Sequence, residues 1–85
     1  MPLHIIYTDT ALLLSKRPYA SWRDIQDAYP TFKTSLGPWS ESEVITYLAE
    51  EHPDLSPPAA TQVAEFVTRP EEAIVLRFLV DRWTA

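Results

Sequence analysis

The chain has 85 residues, of which 46% are hydrophobic and 22% charged, and its formal net charge is −5. This length supplies one hydrophobic core rather than two, and the lack of cysteine excludes disulfides, cysteine-ligated metal sites and thiol catalysis. No apolar run approaches the about 18 residues that span a membrane, so we expect one soluble, cytoplasmic domain over residues 1–85.

The N-terminal residues permit two interpretations. Leu3–Tyr7 has the β-branched and aromatic composition of a strand. Ala11–Leu14 is either its hairpin partner or a helix capped by Asp9 or Thr10, and we favour the helix because leucine is a strong helix former. Residues 1–20 are therefore predicted to be a strand or helix region that precedes a helical core over residues 21–85.

Two N-cap patterns predict helices in the middle of the chain. Ser21, followed three residues later by Asp24, predicts a short helix that ends before Pro30. Ser40 and Glu43 have the capping-box spacing and predict a longer helix. Residues 30–39, between these helices, are predicted to form a loop held by aromatic side chains. The expected inward-facing residues are Trp22, Ile25, Ala28 and Tyr29 in the first helix, and Val44, Ile45 and Leu48 in the second.

The last third of the chain predicts two further helices. Ser56 and the two prolines after it are typical of a helix start, and small apolar residues recur at helical spacing over residues 59–67. Pro70 begins a final helix, with Ile74–Trp83 apolar on most sides and therefore central; a buried strand over Ile74–Val80 is the alternative. The predicted fold class is mostly α, a single small bundle of four to five short helices, with or without a short N-terminal strand.

Few side chains are candidates for catalysis or metal binding. His4 and His52 are the only imidazoles, and most of the chain separates them. Glu50, Glu51 and Asp54 lie near His52, but we interpret these acids as solvated and the histidine as a favourable partner of the helix C-terminal dipole. A single glycine excludes a glycine-rich phosphate loop. We expect no enzymatic activity, no cofactor and no metal.

Charge and aromatic residues indicate protein recognition. Residues 1–36 carry four basic and three acidic residues, whereas residues 37–85 carry three basic and nine acidic residues. An acidic surface repels nucleic acid, and Trp and Tyr dominate protein interfaces. We therefore predict a small acidic protein-binding module, an adaptor or an inhibitor of a basic partner such as a nucleic-acid-binding protein, with no nucleic acid or membrane ligand. The predicted partner-binding residues are Glu41, Glu43, Glu50, Glu51, Asp54, Trp39 and Tyr19.

The sequence leaves two alternative functions open. The spacing of the last three predicted helices is similar to that of a helix-turn-helix core, in which the helix beginning at Pro70 would contact DNA. The chain could equally be a small structural subunit of a larger assembly. Its length is also compatible with a phage, plasmid or toxin-neutralising protein. The sequence does not predict the oligomeric state.

Overall fold

The computed structural model describes residues 2–79 and shows an α+β fold, in which a four-stranded antiparallel sheet carries three helices. The strand order is β3-β1-β2-β4. No helix in this part of the chain has the length and apolar composition needed to cross a membrane. The strands are β1 (Leu3–Thr8), β2 (Leu12–Ser15), β3 (Phe32–Trp39) and β4 (Ala73–Val75), and the helices are α1 (Trp22–Ala28), α2 (Glu41–Glu51) and α3 (Ala59–Val67).

The predicted helical bundle is wrong, and the first error lies at Ala11–Leu14, which belongs to a β-hairpin. The Thr8 side chain accepts a hydrogen bond from the Ala11 N–H (3.0 Å) and donates one to the Ala11 carbonyl (3.1 Å). The hydroxyl therefore closes a tight turn instead of capping a helix. Beyond the turn, β2 pairs with β1 in a register that places Leu14 opposite Ile5. Leu3–Tyr7, whose composition is typical of a strand but which the sequence left undecided, lies within β1.

The predicted loop over residues 30–39 is also wrong, because most of it forms the edge strand β3. Its register with β1 places Thr34 opposite Tyr7 and Trp39 opposite Leu3. An edge strand tolerates Pro38, since one side of the strand lacks a partner strand. Gly37 has a φ of +116°, and a Cβ there would lie 2.5 Å from the Leu3 carbonyl oxygen. The glycine and proline thus mark an irregular edge strand.

The predicted central helix is absent from residues 73–79. Ala73–Val75 forms β4, with Ile74 opposite Leu14 of β2, and the Leu76 N–H donates to the Leu12 carbonyl (2.8 Å). β-branched residues beside an open sheet edge favour this extended structure. Residues 80–83 of the predicted helix lie outside the described residues. The third helix of a helix-turn-helix core is therefore not formed over residues 70–79.

Gln62 of α3 gives a second reason why the chain stays extended after β4. This buried side chain donates hydrogen bonds to the carbonyls of Arg77 (2.9 Å) and Pro57 (2.7 Å), and it accepts one from the Arg77 N–H (3.0 Å). The Arg77 carbonyl also accepts a bond from the Ser56 N–H (3.1 Å). Both backbone groups of Arg77 are thus bound by distant residues, a constraint that a sequence pattern cannot reveal.

The predicted starts of α1 and α2 are confirmed. The Ser21 hydroxyl accepts a bond from the Arg23 N–H at the start of α1. At α2, the Ser40 hydroxyl accepts from the Glu43 N–H (3.2 Å), and the Glu43 carboxylate accepts from the Ser40 N–H (3.0 Å). α3 begins after Pro58 rather than at Ser56, without a side-chain cap.

The inward-facing residues are confirmed for α2 but only in part for α1. Val44 and Leu48 are buried and Ile45 is half-buried. In α1 only Ile25 is buried, whereas Ala28 is exposed. Tyr29 is half-buried at the helix end, and Trp22 is 54% exposed.

The two faces of the sheet have different coverings. α2 and α3 cover the face that carries Leu3 and Ile5, and this side holds the main core. On the opposite face, the Tyr19 ring contacts His4 edge-on at a centroid distance of 5.1 Å, and α1 packs beside β3. The buried apolar residues of the main core are Leu3, Ile5, Leu12, Leu14, Val44, Leu48, Leu55, Ala59, Val63, Phe66 and Leu76.

Candidate functional site

The α2 helix is the most acidic of the described helices. The helix contains four glutamates and no basic residue, and all four glutamates are exposed. Val44 and Leu48 are anchored in the core on the opposite side of the helix, so the amphipathic pattern fixes which side meets solvent. This acidic side attracts cationic groups and repels phosphate.

Two aromatic rings border this acidic surface and form a groove with it. Trp39 lies at the end of β3 and Tyr47 in the middle of α2, and their ring centroids are 5.4 Å apart in an edge-to-face arrangement. Both rings are half-buried against the core. We call the concave surface of about 420 Å³ that they line the α2 groove; its residues are Trp39, Ser42, Glu43, Thr46, Tyr47 and Glu50.

A hydrogen-bond network beneath the groove holds the Tyr47 ring in place. The Tyr47 hydroxyl lies 2.7 Å from the Tyr7 hydroxyl, which in turn lies 2.8 Å from His52 Nε2. His52 directly follows α2, and its backbone N–H donates to the Leu48 carbonyl (2.8 Å). Burial, reinforced by the bond to Tyr47, raises the pKa of Tyr7 well above its ordinary value. Tyr7 therefore stays neutral and serves as a fixed hydrogen-bonding link.

The two carboxylates of the groove stand on either side of Tyr47. Glu43 and Glu50 are seven residues apart on α2, so they share one side of the helix, about 10 Å apart along its axis. The backbone N–H and the hydroxyl of Ser40 lower the pKa of the Glu43 carboxyl, which keeps this group ionised well below neutral pH. The groove thus presents a ring between two negative charges.

The structure brings only some of the predicted binding residues together. Trp39, Glu43 and Glu50 line the α2 groove. Glu41 and Glu51 are exposed near the two ends of the same helix and do not line it.

Asp54 and Tyr19 are placed apart from the groove. Asp54 is half-buried in the turn after α2, and its backbone carbonyl accepts a bond from the Leu79 N–H (2.8 Å). Tyr19 contacts His4 on the opposite face of the sheet, and its hydroxyl lies 3.2 Å from Ser15 Oγ. Neither of these two predicted residues lines the α2 groove.

Three groove residues were not predicted as binding residues, namely Ser42, Thr46 and Tyr47. The signal that could have found two of them is their spacing on α2. Thr46 and Tyr47 lie three and four residues after Glu43, and Glu50 lies three residues after Tyr47, which places all of them on one side of a helix. Trp39 joins them only because β3 ends beside α2, and this contact depends on the fold.

The chemistry available to the α2 groove is the binding of a cation by charge and by aromatic faces. Within residues 2–79, no group of three or more His, Cys, Asp or Glu side chains is arranged to hold a metal ion. Comparison of the chain with models of known protein families, with curated proteins and with solved structures found no match. Any functional inference therefore depends on the groove itself.

Proposed function

We propose that this protein is a non-catalytic binding module for a basic protein partner, acting in the cytoplasm as an adaptor or an inhibitor. The observation that supports it is the α2 groove, which Trp39 and Tyr47 line together with the exposed Glu43 and Glu50. Half-buried aromatic rings supply binding energy at protein interfaces, and the surrounding negative charge accelerates encounter with a positive surface. The aromatic rings and the negative charge meet in this one groove.

A protein partner suits this chain better than a nucleic acid. The carboxylates of α2 repel a phosphate backbone. Several described basic side chains already face acids: Lys33 lies 3.4 Å from Asp9, and Arg69 and Arg77 lie 3.7 and 3.9 Å from Glu65. These exposed pairs are weak, but they leave less net positive charge for phosphates. A membrane surface that carries anionic lipids is disfavoured for the same reason.

The test compares two charge-reversal variants that carry the same net charge. E50K/E51K reverses two exposed acids of α2, and D27K/E71K reverses two exposed acids outside this helix. Proteins captured from the source cell by the wild-type chain are identified, and the association rate of each captured basic protein is then measured with both variants. We expect E50K/E51K to lower that rate about tenfold at low salt and D27K/E71K to leave it within about twofold.

Thermal unfolding of the same variants separates binding from folding. The reversed side chains are exposed, so we expect the melting temperatures of both variants to stay close to that of the wild-type chain. Equal loss of binding in the two variants would contradict the proposal, because general charge would then explain it. Unfolding of E50K/E51K alone would also contradict it, since α2 would then need these acids for stability.

A further inference from the structure

The chemistry of the α2 groove specifies the kind of basic side chain that it binds. Tyr47 lies four residues after Glu43 and three residues before Glu50 on one side of the helix. The Cα of Tyr47 is therefore about 6 Å from that of Glu43 and about 5 Å from that of Glu50 along the helix axis. A cation that rests on this ring is therefore flanked along the helix by one acidic residue on either side.

The rings of the groove are preorganised to receive a flat cation. Tyr47 is held from beneath by the Tyr7 hydroxyl at 2.7 Å, and Trp39 packs edge-to-face with Tyr47 at a centroid distance of 5.4 Å. Binding thus requires little ordering of either ring, which lowers the entropic cost of association. The groove is open to solvent along α2, where Glu43, Thr46 and Glu50 are exposed.

We propose that the α2 groove is an arginine-binding site, occupied by an arginine side chain from an exposed segment of the partner. This inference rests on the proposed function. A guanidinium is planar, so it stacks on Trp39 or Tyr47, and it carries N–H donors on more than one edge, so it bonds with carboxylates on both sides. A lysine ammonium is a strongly hydrated point charge that cannot stack in this way. The groove therefore binds arginine in preference to lysine.

The test uses peptides that differ at a single position. A short, otherwise neutral peptide carries arginine, lysine or citrulline, the uncharged isostere of arginine, and its affinity for the full chain is measured by isothermal titration calorimetry. We expect the arginine peptide to bind about tenfold more tightly than the lysine peptide. The citrulline peptide is expected to bind most weakly, because it keeps the planar shape but loses the charge.

Variants then assign the arginine preference to the groove. W39L removes one ring, and we expect it to reduce the arginine-to-lysine ratio to about twofold or less. W22L is the matched control, since Trp22 is 54% exposed and lies on α1; it should leave the ratio unchanged. E43Q/E50Q should weaken both cationic peptides, while glutamine at residue 43 retains the capping box and hence the fold.

The outcomes distinguish this inference from the proposed function. Equal affinity for the arginine and lysine peptides, or an arginine preference that survives W39L, would overturn the arginine site while leaving a general basic-partner module intact. Binding of neither cationic peptide above citrulline would overturn both. The peptide series on the wild-type chain gives this answer even if W39L fails to fold.

Discussion

Replacement of Tyr7 by phenylalanine is the most informative perturbation of the network beneath the groove. The Tyr7 hydroxyl lies 2.7 Å from the Tyr47 hydroxyl and 2.8 Å from His52 Nε2, so Y7F removes two hydrogen bonds and keeps the ring. Each bond contributes about 1 kcal/mol. We expect Y7F to lower the free energy of unfolding by about 2 kcal/mol, which corresponds to a fall in melting temperature of about 8–16 °C for a domain of this size.

Y47F supplies the internal comparison. It removes the bond between the two hydroxyls but leaves the bond between Tyr7 and His52, so we expect a loss of about 1 kcal/mol. The double variant Y7F/Y47F should cost about as much as Y7F alone, because the second substitution removes a bond that is already broken. The free energies are obtained from urea unfolding followed by circular dichroism.

Two results would refute this reasoning. A loss of stability in Y7F no larger than that in Y47F would show that the bond to His52 contributes nothing. Additive losses in the double variant would show that the two hydroxyls do not interact. In either case, these hydrogen bonds would not explain the fixed position of the Tyr47 ring in the groove.

Three further substitutions test the fold at other positions. G37A should lower the free energy of unfolding by at least about 2 kcal/mol in urea titrations. The φ of +116° at Gly37 disfavours a side chain, and a Cβ there would lie 2.5 Å from the Leu3 carbonyl oxygen. An unchanged unfolding midpoint would contradict this geometry. S40A should cost about 1 kcal/mol in the same assay through loss of the α2 cap, and a loss below about 0.3 kcal/mol would show that the cap is dispensable. Burial lowers the pKa of the His4 imidazole in the folded chain. The contribution of His4 to stability is therefore complete above its ordinary pKa of 6.5, and it is lost as the pH falls through the lower pKa of the folded state. H4F should remove this part of the pH dependence in melting curves between about pH 7 and pH 4, and an identical pH profile for the variant would contradict the assignment.

Local sequence signals predicted the helices whose capping residues lie next to them in the sequence. The Ser40 and Glu43 pattern located the start of α2, and Pro53 lies just after its end. Such caps act within a few residues, so the sequence contains all the information that they need. The acidic character of α2 followed from the same segment, and two of the predicted binding residues, Glu43 and Glu50, consequently fall in one groove.

Strand pairing could not be predicted in the same way, because it depends on distant residues. Leu12–Ser15 is rich in leucine, a helix former, yet it forms the strand between β1 and β4. One of its neighbours, β1, precedes it by a tight turn, but the other, β4, begins at Ala73, far away in the sequence. Similarly, Ile74 and Val75 lie in an apolar run with helical character, but β2 and the Gln62 side chain bind the backbone of this region. Tertiary pairing here outweighs local propensity.

The position of Tyr19 illustrates the same limit for the site. The sequence places this ring beside a turn, where binding residues are common, but β1 places His4 beneath it on the face of the sheet opposite α2 and α3. Conversely, Trp39 and Tyr47 meet only because an edge strand ends next to α2. The set of residues that line the groove is therefore determined by the fold.

Nuclear magnetic resonance mapping of the arginine peptide on the full chain tests binding at the α2 groove most directly. We predict concentration-dependent shifts of the Trp39 indole N–H and of the Thr46 and Tyr47 amides, with the Trp22 indole and the Tyr19 amide unmoved. Shifts centred on Trp22 or Tyr19, or equal shifts over the whole surface, would contradict a binding site on α2.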